Sequence, residues 1–296
     1  MRNIVCIALI ALCFSVQAQK KELRKIDKLV LESFYDEAKD ELENAKNLIL
    51  ASDDKYKAQY YFYDSKVSNE LKEFENAINS LNSLNKVNPN ENLPTKYQQE
   101  YSNLKIIISN SIVNSAVTDN QNGDFLDAAK KLIMAYEMDK EEYINYLYFA
   151  AGSAVNGKDY ESALKHYLAL KNNGYTGIVD EYFVTNNETG LEEKVSQTEY
   201  DLLKSSKDYS NPRIGQTESR FPEIVKNIAL IYVQQGKNEL AESAIKEARE
   251  IQPDDVSLLL NEADLYIRIS NNSDNDVDRL LYRNKFKTLM EKAIQI

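Results

Sequence analysis

The chain carries one histidine, His166, and two cysteines, Cys6 and Cys13, and this scarcity limits the chemistry open to it. A Ser/His/Asp relay or a metal cage needs several such groups converging, and a lone histidine supplies neither. His166 stands beside Tyr167 in a helical stretch and reads as structural. The run Asp274-Asn-Asp276-Val-Asp278 alternates oxygen ligands as a calcium loop does. It lacks the glycine at the sixth place and has Lys285 where the bidentate glutamate belongs, so it reads as a polar connection. The sequence holds no glycine-rich phosphate loop and no Gly-x-Ser-x-Gly elbow. No catalytic residue, metal site or cofactor is expected, and the chain is not read as an enzyme.

Both cysteines fall in a segment with its own logic. Arg2 precedes the apolar run Ile4 to Phe14, and Val16-Gln17-Ala18 offers small residues at the spacing a signal peptidase reads. Residues 1–18 are therefore expected to be a signal peptide, cut near Ala18-Gln19, with the mature protein exported and periplasmic or outer-membrane associated. Leu12 before Cys13 is too bulky for a lipid-attachment signal. The run is shorter than the roughly 20 residues a spanning helix needs, and no later stretch comes closer, so no membrane span is expected in the mature chain. Cleavage would leave no thiol and would remove one basic residue, taking the formal charge from -11 to -12. So acidic a surface repels phosphate backbones, and nucleic acid is not an expected partner.

The elements that remain are helices. Only 8 glycines and 5 prolines punctuate the 296 residues, and the apolar positions recur at helical spacing. A pattern also repeats. Its clearest copy is Asn227-Ile-Ala229-Leu-Ile-Tyr232-Val-Gln-Gln-Gly236-Lys-Asn-Glu-Leu-Ala241-Glu-Ser-Ala-Ile245-Lys-Glu-Ala248, closed by Pro253-Asp254. A second copy has Leu147, Ala150, Ala151 and Ala154, then Gly157-Lys-Asp-Tyr160-Glu-Ser-Ala163-Leu with Tyr167 and Leu170. A third runs through Ala116, Gly123-Asp-Phe125, Ala128, Leu132 and Ala135, and Ala128 to Ala163 is 35 residues, one unit. This pattern resembles the tetratricopeptide repeat, in which two antiparallel helices meet at small residues and a glycine ends the first helix.

Weaker copies extend the resemblance over nearly the whole chain. One has Tyr61, Ser65, Phe74, Ala77, Leu81, Leu84 and Pro89, with serine where alanine is usual. Another has Phe34-Tyr35, Ala38, Leu42 and Ala45, preceded by a first helix Lys21 to Val30. A last first helix carries Leu259, Ala263 and Tyr266, its partner Leu280 to Ile296 displaced by the polar stretch Asn271 to Asp278. The fold implied is all-α, a right-handed α-solenoid of tetratricopeptide helix-turn-helix repeats. With its signal peptide the chain resembles exported tetratricopeptide-repeat proteins of the Bacteroidetes and Flavobacteria. The final repeat reaches the last residue without a polar cap, so either the natural protein continues past Ile296 or this end docks on something.

The spacing is interrupted twice. Ala163 to Ala241 is 78 residues, about 44 more than one repeat of about 34 needs. The expected organisation is thus residues 19–171 an N-terminal array, 172–221 an irregular insert, and 222–296 the C-terminal repeats, the last incomplete. The insert predicts a short β-hairpin from Tyr182-Phe-Val-Thr185 and Leu191 to Val195, then a small helix Gln197 to Lys204. It reads either as a surface excursion or as a lip over the inner face. A smaller excess between Ala77 and Ala128, around Pro89 and Pro94, predicts a longer connection into a lengthened helix.

The resemblance also implies how such a protein works: the first helices line a concave groove that grips a partner segment. Transferring that register puts Phe62, Asn69, Asn110, Val113, Asn145, Tyr148, Lys226 and Gln234 towards the groove. The asparagines there suit the backbone of an extended peptide, and solvated polar positions are the equally open alternative. Leu230 follows one turn after Lys226, so a carboxylate clamp is not implied. The expected function is a non-catalytic protein-protein interaction scaffold of the bacterial cell envelope. The alternatives are the recruiting portion of a longer protein, possibly an enzyme, or an accessory in outer-membrane glycan uptake. The complete lack of tryptophan weighs against the last of these.

Overall fold

A computed structural model describes residues 18–89 and 92–295, the side chain of Ser257 excepted. The expected signal-peptide run and both cysteines lie outside the described residues. The chain divides into two compact units, Met1–Tyr146 and Leu147–Ile296.

The first unit contains α1 (helical residues 18–31), α2 (Tyr35–Leu50), α3 (Asp54–Glu70), α4 (Phe74–Val87), α5 (Gln98–Asn122) and α6 (Phe125–Met138). These form antiparallel hairpins α1/α2, α3/α4 and α5/α6. Each second helix buries one stripe: Ala38, Leu42, Ala45 and Ile49 on α2, and Ala128, Ala129, Leu132 and Ala135 on α6. Between hairpins, α3 is clad on several sides, burying nine of its residues including Tyr60, Phe62 and Tyr63. The expected longer connection is residues 88–97, ending in a 3₁₀ turn Thr95–Tyr97, and it feeds the lengthened helix α5 of 25 residues. Leu93 and Tyr97 of this connection are buried, Tyr97 against Phe62 and Tyr63 of α3, and the Asn88 side-chain oxygen accepts the Leu93 amide at 2.7 Å.

The second unit follows the same plan. It holds α7 (Ile144–Asn156, entered just before the boundary), α8 (Tyr160–Asn172), α10 (Phe221–Gln234), α11 (Asn238–Ile251), α12 (Val256–Asn272) and α13 (Asp276–Gln295). α10 packs directly on α8, where the Asn227 amide donates to the Tyr167 hydroxyl at 3.0 Å. The insert therefore leaves the helical stack and returns to it. α13 begins four residues earlier than expected, because Asp276 and Asp278 form its first turn, a position the helix dipole favours for acids.

One turn closes five of these hairpins. Ser33, Lys72, Gly123, Lys158 and Gly236 all have φ between +60° and +87°. The amide after each donates back five residues, Phe34 to Leu29, Glu73 to Ser68, Asp124 to Asp119, Asp159 to Ala154 and Lys237 to Tyr232, at 2.8–3.0 Å. These are Schellman closures, which satisfy carbonyls that a helix C-terminus otherwise leaves orphaned. Counting from each left-handed residue, the position seven before it is Ile26, Ser65, Ala116, Ala151 and Ala229, and the position five after it is always alanine, at 38, 77, 128, 163 and 241. All ten are 0% exposed. The two positions face each other, since the Ser65 hydroxyl donates to the Ala77 carbonyl at 2.8 Å. That bond also explains how serine is tolerated where alanine was expected.

The insert differs from expectation in one respect. β1 (Asp180–Asn186) and β2 (Glu192–Val195) form the expected antiparallel pair, Tyr182 opposite Val195, followed by α9 (Gln197–Leu203). A third strand, β3 (Tyr209–Gln216), pairs with the other edge of β1, giving the order β2-β1-β3, with an irregularity between Phe183 and Thr185. Its sequence Tyr-Ser-Asn-Pro-Arg-Ile-Gly-Gln shows no alternation because most of the strand is exposed, and an edge strand tolerates Pro212. Among the described residues no helix is long and apolar enough to cross a membrane.

The turn carries a prediction. No atom stands within 4 Å of a Cβ added at Gly236, so Gly236→Ala has only the left-handed backbone to overcome. It should lower unfolding free energy by about 1 kcal/mol, whereas Lys158→Gly at the equivalent place should hold or raise it. Urea denaturation of the two variants beside the parent chain reads both signs.

Candidate ligand-binding groove

The eight residues expected along a groove meet different fates. Phe62 is not a surface residue: it is 0% exposed, with its ring 5.1 Å from that of Tyr97 and beside Tyr63. The cause is the long connection, which lays Tyr97 over the face of α3 that a regular repeat would leave open. Val113 is half-buried and packs against the core of the first unit. Asn110 and Asn145 are exposed on α5 and at the first turn of α7.

In the second unit, Gln234 is exposed at the end of α10. The other two residues are already engaged. Lys226 pairs with Asp255 at 2.7 Å. The Tyr148 hydroxyl donates to Glu223 at 2.6 Å, and the Arg220 guanidinium lies 4.5 Å from its ring. Tyr175 and Arg220 stand at the two roots of the insert, and the Tyr175 ring is also 6.1 Å from Tyr148. Gly177, at φ +62°, lets this root close, for a Cβ there would lie 2.8 Å from both Tyr175 and Arg220. The insert is thus clamped onto α7, on the same face that carries Tyr148. Burial holds the Tyr148 hydroxyl well above the usual tyrosine range, and the Glu223 carboxylate pushes the same way.

Asn69 is the residue that marks a site. It ends α3, is 5% exposed, and its side-chain carbonyl oxygen has no hydrogen-bond partner. A buried acceptor left empty costs about 1–3 kcal/mol. It lines a cleft of about 280 Å³ between the end of α3, the turn at Lys72 and the middle of α5. The facing wall is a polar stripe of α5 at helical spacing, Ser111, Asn114, Ser115 and Thr118. Ser115 accepts a hydrogen bond from Lys131 at 2.9 Å, and Lys131 is fixed in turn by Asp119 at 2.5 Å. The Ser115 hydroxyl is therefore held with its own proton available to donate. An unpartnered acceptor in the wall of the cleft and hydroxyl groups along α5 are the group types that the N–H and C=O of a peptide group pair with.

The stripe was missed because the transferred register pointed one residue away, to Asn110 and Val113. The helical spacing of its four polar residues, flanking the buried Ile108, Ile112 and Ala116, was the available signal. His166 is half-buried on α8, and burial lowers its pKa, with Lys165 acting in the same direction and Asp159 against. At the rejected calcium run, Asp276 is taken up by Arg279 at 2.9 Å and Asp278 by Asn275 at 3.2 Å. No group of three or more metal-ligating side chains is found among the described residues.

No family model and no curated protein sequence matches the chain. Among solved structures it is similar to the MamA protein, at 12% identity and TM-score 0.38, covering 81% of this chain and 91% of that one. It is similar also to pilF of Pseudomonas aeruginosa, at 9% identity and TM-score 0.32, covering 92% and 99%. A third is NprR in complex with its cognate peptide NprX, at 16% identity and TM-score 0.31, covering 94% and 66%. Likenesses this loose place no residue of the chain.

An empty buried acceptor is a stability defect until a ligand fills it. Asn69→Leu, close in size and without the amide, is expected to raise unfolding free energy by about 1 kcal/mol. Urea denaturation checks this, and a destabilised Leu variant would mean that Asn69 is already satisfied in the free protein.

Proposed function

We propose that the chain is a non-catalytic protein-interaction scaffold of the tetratricopeptide kind that holds an extended segment of a partner protein against its first helices. The observation that carries this reading is the unpartnered side-chain oxygen of Asn69, buried in the wall of a cleft that the polar stripe of α5 also lines. Backbone recognition of this kind accepts many side chains, which suits a scaffold better than an enzyme. The exposed Asn110 extends the same polar surface along α5. The location proposed is the bacterial cell envelope, supported by Arg2, the apolar run Ile4 to Phe14 and the small residues before Gln19.

One experiment tests both parts. The chain is recovered from the periplasm of an expressing bacterium, where N-terminal sequencing should begin at Gln19, and is used to select from a displayed library of random heptapeptides. Selected peptides should bind Asn69→Leu about tenfold more weakly, as loss of one hydrogen bond of about 1.4 kcal/mol requires. Equal binding to the variant would reject the cleft, and an uncut chain retained in the cytoplasm would reject the envelope location.

A further inference from the structure

The first unit has two further clefts, each running between successive second helices. One of about 330 Å³ lies between α2, α3 and α4, with Asp64 in its wall. Its charges do not cancel. Lys39 is taken by Glu73, and what remains is Lys46 against Glu43 and Asp64, one negative charge in excess. Asp64 has no ion pair among the described residues; it accepts a hydrogen bond from Ser80 only. Burial holds its carboxyl above the usual carboxylate range, against the pull of Ser80 and Lys46. Tyr60 and Tyr61, with ring centroids 5.5 Å apart, supply aromatic wall beside it.

We propose that this cleft receives a basic side chain, lysine or arginine, of a protein partner. A cation placed against Asp64 restores neutrality, and the tyrosines give its aliphatic stem and charge an aromatic surface. A partner protein, rather than a free amine, is indicated by what lies next door. Asn79 of α4 also lines a cleft of about 460 Å³ whose exposed wall is mostly apolar, from Ile78, Leu81, Ile133, Met134 and Met138, with Glu75, Glu137 and Lys105 among its polar residues. Methionine-rich walls adapt to varied side chains. Two abutting clefts, one short of a cation and one with a largely apolar wall, fit a segment carrying a basic residue flanked by apolar ones. The acidity of the whole chain, with net charge -11, draws such a segment in.

The test uses the full chain, labelled for NMR, and the blocked pentapeptide Leu-Gly-Lys-Gly-Leu, whose symmetry serves either chain direction. Saturable shifts are expected at Asn79, Ser80 and Ser83 and at Ile78 and Met134. Norleucine in place of lysine, or Asp64→Asn in the protein, should weaken binding at least tenfold. Lys46→Gln, which removes a competing cation from an exposed position, should tighten it several-fold, an effect no structural role of Lys46 would give. Asp64→Asn should remain folded with an unchanged or higher melting temperature, since it removes a poorly compensated buried charge. Absence of saturable shifts at tens of millimolar peptide would overturn the proposal. So would equal binding by the norleucine peptide, or by Asp64→Asn. Butylamine binding as tightly as the peptide would make this a small-amine site and overturn the assignment to a protein partner.

Discussion

The structure depends on the close approach of two helices at a pair of small residues, set by a left-handed turn of fixed length. A hairpin of about 34 residues cannot bury its apolar face alone, and its two helices gain most when their backbones come close. Closeness needs small side chains at the crossing, and a crossing at the same height in each hairpin needs the same number of residues on either side of the turn. All five left-handed residues stand seven after one 0% exposed position and five before an alanine, and in four of them both positions are small, the α1/α2 hairpin carrying Ile26 at the first. At Ser33, Lys72 and Lys158 a non-glycine residue accepts the left-handed backbone, and two hydrogen bonds per turn offset that strain.

The same constraint determines where ligands can bind. Positions used for the crossing are closed, while the seams between one hairpin and the next are less regular and leave clefts. Asn69 sits at such a seam between first helices, and Asp64 at one between second helices. Each holds a polar group whose burial is incompletely compensated within the chain, an acceptor in one case and a carboxylate in the other. Such groups are costly in the free protein and gain when a complementary group arrives.

What was legible in the sequence was whatever the crossing dictates. Ala128, Ala163 and Ala241 and the apolar stripes behind them announce the hairpins directly. The pattern failed where another interaction took over. The transferred register places Phe62 towards a groove, but a connection of irregular length brings Tyr97 onto it, and nothing local to α3 encodes that. β3 was invisible because a strand with one free edge and little burial needs no alternation. The left-handed residue of the α7/α8 hairpin is Lys158, not the neighbouring Gly157, since the position is fixed by distance to Ala151 and Ala163 and not by residue type. In the clefts, the polar stripe of α5 was readable by its spacing, whereas the empty acceptor of Asn69 is a property of packing.

The most direct test of the central claim is amide hydrogen exchange at the residue following each turn. If the Schellman closures are integral to the hairpins, the amides of Phe34, Glu73, Asp124, Asp159 and Lys237 should exchange as slowly as those inside the flanking helices. Exchange at these five positions as fast as in an exposed loop would show that the turns fray, and would contradict the claim that they set the helix crossing.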